Sequence, residues 1–167
     1  MFVSYALCFL LALVLHEMGH FTAARACRVS ITEFGVGWGR RFLGMRVSGI
    51  DYVLRAWPMG AYVRLDLREL QERPLAQQVL VLLAGIIVNL VAASATNGTR
   101  FSAMNYMLAA TNILPLYQQD GWKCGMVMLR GLMKRKSRFV EWTFTITGTG
   151  LSLILFAAFV IRCFKLG

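Results

Sequence analysis

The first 24 residues, MFVSYALCFLLALVLHEMGHFTAA (residues 1–24), contain one carboxylate, Glu17, and no Lys or Arg. A helix needs about 20 mostly apolar residues to cross the hydrocarbon core of a bilayer, and this stretch is long enough. Over the whole chain 57% of residues are apolar and 16% are charged, against about 25% charged in soluble domains. The composition excludes a disordered chain and predicts an all-α polytopic membrane protein.

Three further charge-poor stretches have a similar length, at 75–99, 101–119 and 142–161. We therefore expect a single domain over residues 1–167 with four transmembrane helices. The predicted spans are about 2–26, 75–94, 101–120 and 139–164.

The segments between the spans have their own patterns. Strand-like runs around Pro58 and Gly60 predict a small membrane-reentrant β loop at about 31–66. Pro115 removes a helical hydrogen bond, so the third helix should be disturbed at 112–119. Residues 122–136 have apolar side chains at helical spacing and a basic end, which predicts a helix along the membrane interface.

The net charge of +10 is unevenly distributed. All Lys and Arg except Arg100, Arg162 and Lys165 lie between residues 25 and 73 or between 123 and 138. Four spans would place these two regions on one side, and the positive-inside rule makes that side cytoplasmic. Both termini would then lie outside. The basic excess thus indicates topology and contact with the anionic lipid bilayer, and we expect no nucleic-acid partner.

The chain has only two histidines, His16 and His20, and they flank Glu17 in the sequence HEMGH. Residues four apart share one face of a helix, so both imidazoles can bind one ion while Glu17 holds the water that it activates. Zinc suits such a site, because catalytic zinc takes three protein ligands and keeps one position open. His16 would lie roughly 22 Å along the first helix, inside the membrane and nearer the cytoplasm, where ionisable groups are normally functional.

A third ligand is still needed, and Asp120 is our choice. It ends an otherwise uncharged span and follows the irregular segment 112–119. Irregular backbone at membrane depth is tolerated where it lines a cavity or packs in protein.

Taken together, these motifs resemble the site-2 protease family of intramembrane zinc metalloproteases, especially its bacterial regulator-processing branch. HEMGH and an A-G-x-x-x-N stretch at 84–89 match the family, and residues 34–39 and 51–63 are similar to its membrane-reentrant β loop. The family's N-x-x-P-x4-D-G pattern is matched by Asn112, Pro115, Asp120 and Gly121.

The resemblance implies a zinc-dependent endopeptidase that cleaves peptide bonds in or near transmembrane segments during regulated intramembrane proteolysis. One Zn2+ would be bound by His16, His20 and Asp120, with Glu17 catalytic. It implies further that the substrate backbone is held by Asn89, Asn112 and the strand edge that includes Gly35, Gly37 and Gly39.

The resemblance also implies partners and a location. The substrates would be single-span membrane proteins, such as anti-sigma factors or signal-peptide remnants. The location would be the bacterial inner membrane, with the active site toward the cytoplasm.

Two departures from the family pattern stand out. The 95–100 turn occupies the place where relatives of this branch carry PDZ domains, so gating by PDZ domains is not expected, and a separate regulatory membrane protein is a candidate partner. Ile86 and Tyr117 stand where Pro is common in relatives.

Two alternative functions remain open. One is a metal-stabilised membrane adaptor without turnover. The other is a different membrane HExxH endopeptidase, of the prenyl-protein type, with a Glu as third ligand; its candidates are Glu33, Glu69, Glu72 and Glu141.

Overall fold

A computed structural model of the chain describes residues 2–133 and 138–165, with side chains described at 4–133, 138–155 and 157–158. The chain divides into two compact units, Met1–Thr111 and Asn112–Gly167. In chain order the elements are α1 (Phe2–Ala26), β1 (Ile31–Val47), β2 (Ile50–Leu65), α2 (Leu67–Glu72), α3 (Leu75–Ala95), α4 (Arg100–Ile113), α5 (Asp120–Leu132) and α6 (Arg138–Lys165).

Two helices in the described part of the chain are long and apolar enough to cross a membrane, judged by length and composition: Ser4–Ala26 within α1, and α3. Helix α4 has 14 residues, which gives a length of about 21 Å, less than the hydrocarbon core of roughly 30 Å. A helical protein with two candidate spans and a small sheet is therefore confirmed. The arrangement of four spans stays a prediction.

Helices α1, α3 and α4 are held together at their ends. The Arg100 guanidinium donates to Ser4 Oγ at 2.8 Å and lies 4.7 Å from the centre of the Tyr5 ring. Ser102 Oγ donates to the carbonyl of Ala93 at 2.7 Å, which joins α4 to α3 across the short turn. The start of α1 and the α3–α4 turn therefore lie at the same end of this unit.

The predicted β loop is a sheet of two long antiparallel strands, β1 and β2. Both strands bend, so that residues 33–36 pair with 61–64 on one side and with 51–54 on the other. A tight turn joins the strands at Ser48 and Gly49, which both have left-handed backbone conformations. Membrane re-entry by this hairpin stays a prediction.

Helix α2 was not predicted from the sequence. The carboxylate of Asp66 accepts hydrogen bonds from the backbone N–H groups of Arg68 and Glu69, which is the usual arrangement at a helix N-cap. The spacing of Asp66 and Glu69 in the sequence is the capping signal that could have located this short helix.

A charged cluster fixes the end of the sheet that contains the Ser48–Gly49 turn, which we call the base of the hairpin. The carboxylate of Glu33 accepts hydrogen bonds from the Tyr62 hydroxyl and from Arg55, whose Nη2 is 3.0 Å away, and forms an ion pair with Arg64 at 3.2 Å. The Tyr62 ring lies over Gly35, where a Cβ would collide with it. The Tyr62 hydrogen bond, and then the two guanidinium groups, lower the pKa of Glu33 below its ordinary value.

The opposite end of the sheet is formed where the strands bend, at residues 37–43 and 55–60. We call this end the tip, and its surface is apolar. Its large apolar side chains are all more than six-tenths exposed, namely Trp38, Phe42, Leu43, Trp57 and Met59. Contiguous exposed apolar surface marks a site of contact with a membrane or a partner. This tip is therefore a candidate for such a contact.

In the second unit, the irregular segment after α4 packs on α6. The Tyr117 N–H donates to Ser152 Oγ at 3.1 Å, and the ring of Trp122 stacks on Phe144 with centroids 6.2 Å apart. The amphipathic helix α5 follows. It ends at Leu132, and residues 134–136 of the predicted interfacial helix lie outside the described residues.

We predict that acid loosens the hairpin through Glu33. The pKa of Glu33 is lowered on folding. Its ionised form therefore stabilises the hairpin fully at pH values above the ordinary pKa of Glu, and this stability is lost as the pH falls through the folded-state pKa. Hydrogen exchange of residues 33–36 and 61–64, corrected for the intrinsic rate, should show protection falling below about pH 4.5. In Glu33→Gln that pH dependence should vanish, whereas the exposed control Glu72→Gln should keep it.

Candidate metal centre

The two histidines lie on one face of α1, as their spacing predicts. Their Nε2 atoms are 3.2 Å apart, and both side chains are buried. Two nitrogen ligands at 2.0–2.1 Å from a tetrahedral zinc ion would be roughly 3.3 Å apart. The pair therefore has the separation that one shared ion requires.

The orientation of His20 is fixed from α3. Its Nδ1 lies 2.7 Å from the carbonyl oxygen of Val81. That carbonyl can only accept, so Nδ1 carries the proton and the lone pair of Nε2 is directed toward His16. Ligand histidines in metal sites are commonly held in this way by a backbone carbonyl.

A close approach of two helices makes this contact possible. A Cβ at Gly19 would lie 2.6 Å from the carbonyl oxygen of Ala84, and a Cβ at Gly85 would lie 2.6 Å from His20 Nε2 and 2.7 Å from His16 Nε2. Both positions therefore need glycine. The sequence alone points to a structural role for neither glycine; the signal that could have found them is the small-residue packing typical of membrane helices.

Glu17 follows His16 on α1 and is half-buried. A carboxylate beside the first histidine is what a general base at this centre requires.

Asp120 belongs to the second unit, where it is the first residue of α5 and is 5% exposed. Its carboxylate accepts a hydrogen bond from Lys123 Nζ at 3.0 Å. A carboxylate in the first turn of a helix is further stabilised as an anion by the helix dipole. Gly121 allows α5 to start here, because a Cβ at this position would collide with the carbonyl of Ile113.

The predicted substrate-binding residues lie in different surroundings. Asn89 is fully buried on α3, and Asn112 is half-buried near the end of α4. Gly35 lies inside the sheet with pairing on both sides, whereas Gly37 and Gly39 have positive φ near its tip. Their roles toward substrate stay predictions.

The four alternative Glu ligands have other partners or are exposed. Glu33 is held by Arg55 and Arg64, and Glu69 accepts hydrogen bonds from the N–H and hydroxyl of Ser30. Glu141 pairs with Arg130 at 2.8 Å, and Glu72 is exposed.

Comparison with known proteins gives a consistent result. The model of peptidase family M50 matches residues 4–100, which is more than half of the chain. A Clostridium perfringens protein named as an inferred zinc metalloprotease is 34% identical over 102 residues, covering 56% of this chain and 30% of its own length. A Clostridium acetobutylicum protein with the same designation is 32% identical over 96 residues, covering 53% of this chain and 28% of its own length.

A third relative comes from a plant. It is named as an inferred chloroplastic membrane metalloprotease of Arabidopsis thaliana and is 32% identical over 95 residues, covering 50% of this chain and 22% of its own length. The chain thus spans less than a third of the length of each of these relatives.

We predict that Gly85→Ala weakens zinc binding. The added methyl would displace both imidazoles, and we expect an affinity loss of about tenfold or more, the effect of disturbing groups that orient metal ligands. Ala favours helix more than Gly does, so helix destabilisation would not explain the loss. Equilibrium dialysis against zinc would measure it. Gly150→Ala is the matched control, because in the described part of the chain its added Cβ meets nothing within 4 Å beyond its neighbours and its own helix backbone; equal affinity in both variants would contradict the prediction.

Proposed function

The chain belongs to peptidase family M50, the site-2 protease family, and from this premise we propose that it is a zinc-dependent intramembrane endopeptidase. It would hydrolyse peptide bonds in or near the transmembrane segments of membrane-tethered proteins. One observation carries the proposal: a buried histidine pair, in which Val81 orients His20, within a helix long and apolar enough to cross a membrane.

We assign the third ligand to Asp120. Its carboxylate is almost completely buried and stands at a helix start, and a buried carboxylate requires a positive partner. Lys123 supplies one such partner at 3.0 Å, and a zinc ion would supply a stronger one. The engagement of Glu33, Glu69 and Glu141 elsewhere supports this choice over a Glu ligand.

The chemistry divides between the ion and the chain. Zinc, when bound, lowers the pKa of water and polarises the scissile carbonyl. His16 and His20 would hold it through their Nε2 atoms. Glu17 accepts a proton from the attacking water and passes it to the leaving amine nitrogen.

The substrate must present an extended backbone, because a helix hides its peptide bonds in hydrogen bonds. We propose that it pairs with an edge of the hairpin by strand addition. Residues 43–47 pair only with 50–54 among the described residues, and 61–65 only with the first part of β1, so both outer edges are candidates. Gly37 and Gly39 bend the chain at the tip, and Asn112 would hold the backbone closer to the metal.

The membrane arrangement is part of the proposal. Four spans would place the basic loops in the cytoplasm and both termini outside, in a bacterial inner membrane. Arg100 and Ser4 support one feature of it, since their hydrogen bond brings the start of α1 and the α3–α4 turn to the same end. The proposed substrates are single-span proteins such as anti-sigma factors or signal-peptide remnants, with a separate membrane protein as regulator.

The first test replaces the proposed general base. Glu17→Gln keeps the size of the side chain but cannot accept the proton, and general-base catalysis is worth about 10²–10⁴-fold. We expect zinc content to be unchanged while cleavage of a reconstituted single-span substrate falls by about that factor. Cleavage retained in Glu17→Gln would refute this role. If the wild-type protein cuts no member of a substrate panel while binding zinc, the adaptor function replaces the enzyme.

A second test concerns the ligand set. Asp120→Ala should lower zinc affinity sharply, because removing a ligand leaves two protein donors where catalytic sites use three. Glu33→Ala, Glu69→Ala, Glu72→Ala and Glu141→Ala should each retain wild-type zinc affinity. Inductively coupled plasma mass spectrometry of the dialysed proteins gives the comparison. A Glu variant that loses zinc while Asp120→Ala retains it would favour the prenyl-protein type of endopeptidase.

A further inference from the structure

Two asparagines of the first unit are completely buried, Asn89 on α3 and Asn105 on α4. Among the described residues, neither side-chain atom of Asn89 has a hydrogen-bond partner. Asn105 Nδ2 donates to the carbonyl of Phe101 at 2.8 Å, but its Oδ1 has no partner. Buried amide groups are almost always hydrogen-bonded, so these three atoms indicate a small polar ligand next to them.

The contacts between α3 and α4 place the two amides at one level. Ala93 and Ser102 are joined by a hydrogen bond, and Ser94 Oγ lies 3.5 Å from the Tyr106 hydroxyl. The helices run in opposite directions from the turn between them. One helical turn before Ala93 on α3 is therefore at the same level as the turn after Ser102 on α4, and these positions are Asn89 and Asn105.

The same level is close to the histidine pair. Gly85 is the α3 residue in contact with His16 and His20, and Asn89 follows it by four residues on the same helical face. The rise along the helix is about 6 Å. The amides therefore lie one turn from the proposed metal, toward the start of α1.

We propose that Asn89 and Asn105 form a buried hydration site that holds one or two water molecules and supplies the water used in peptide hydrolysis. The resident ligand must be small, because both side chains are 0% exposed. Water fits, since a buried water makes about three hydrogen bonds to such groups. The supply role rests on the proposed endopeptidase function.

Hydrolysis explains why such a site would be useful. Each cleaved peptide bond consumes one water, which gives its hydroxyl to the acyl carbon and a proton to the leaving amine. Helices α1 and α3 are apolar enough to cross a membrane, so water held one turn from the metal has a shorter path to travel than water from outside. Asn105 would act through this water as a positioning residue, without touching the reacting atoms.

The hydration itself is tested in the wild-type protein without any assay of cleavage. Chains labelled with 15N-asparagine are placed in lipid nanodiscs, and cross-peaks between side-chain amide protons and water are recorded by NMR. Asn89→Ser and Asn105→Ser assign the signals. We expect water cross-peaks at both amides. Their absence, or a direct contact between the two amides in place of water, would overturn the hydration site.

The supply role is tested by kinetics. Asn105→Leu removes the polar anchor and should lower kcat by about tenfold, with KM and zinc content unchanged. Asn105→Ser keeps a hydroxyl that binds water and should restore most of kcat. Thr111→Leu, the same kind of change at an exposed position of α4, is the control. A wild-type kcat in Asn105→Leu would overturn the supply role, as would equal losses in the Leu and Ser variants.

The two sets of data separate this proposal from the endopeptidase function. Water cross-peaks in a wild-type protein that cleaves nothing would leave the hydration site standing and overturn its role in hydrolysis together with the proposed function. Cleavage by a wild-type protein without those cross-peaks would retain the function and reject the site.

Discussion

The backbones of α1 and α3 approach each other at Gly19 and Gly85, and the groups around the histidine pair depend on that contact. A side chain at Gly19 would strike the Ala84 carbonyl, and one at Gly85 would strike both imidazoles. In an apolar environment helices associate through close packing and hydrogen bonds, because burying apolar surface gives little advantage there. The same approach brings the Val81 carbonyl within 2.7 Å of His20, so one packing feature both joins the helices and orients a ligand.

Polar groups inside this unit are few and are placed on the facing surfaces of its helices. His16, His20, Asn89, Ser102 and Asn105 are its buried polar side chains among the described residues. Each would be costly in apolar surroundings without a partner. Ser102 and His20 meet backbone carbonyls, whereas Asn89 and Asn105 have amide atoms without partners among the residues that the structure describes. The distribution suits a site that needs an ion and water in an otherwise apolar interior.

The two ends of the hairpin have different surfaces, a charged base and an apolar tip. In the network of Glu33, Tyr62, Arg55 and Arg64, two guanidinium groups and a hydroxyl surround one carboxylate and fix the pairing at the base. The tip instead exposes large apolar side chains such as Trp38 and Trp57. A rigid base with an apolar tip would allow the strand edges to be held at a fixed depth in the bilayer surface while they bind an extended chain.

Local patterns of the sequence determined the long helices, the β loop and the histidine pair, because hydropathy and a spacing of four residues act within one element. HEMGH alone placed both imidazoles on one face of α1, and Pro115 indicated the disturbance after α4. The short helix α2 was missed although Asp66 carried its capping signal. Only the tertiary structure showed that Gly85 and Val81 support the histidines and that Asn105 is buried. Those facts depend on which face of one helix meets another, and that choice is made by packing between segments far apart in the chain.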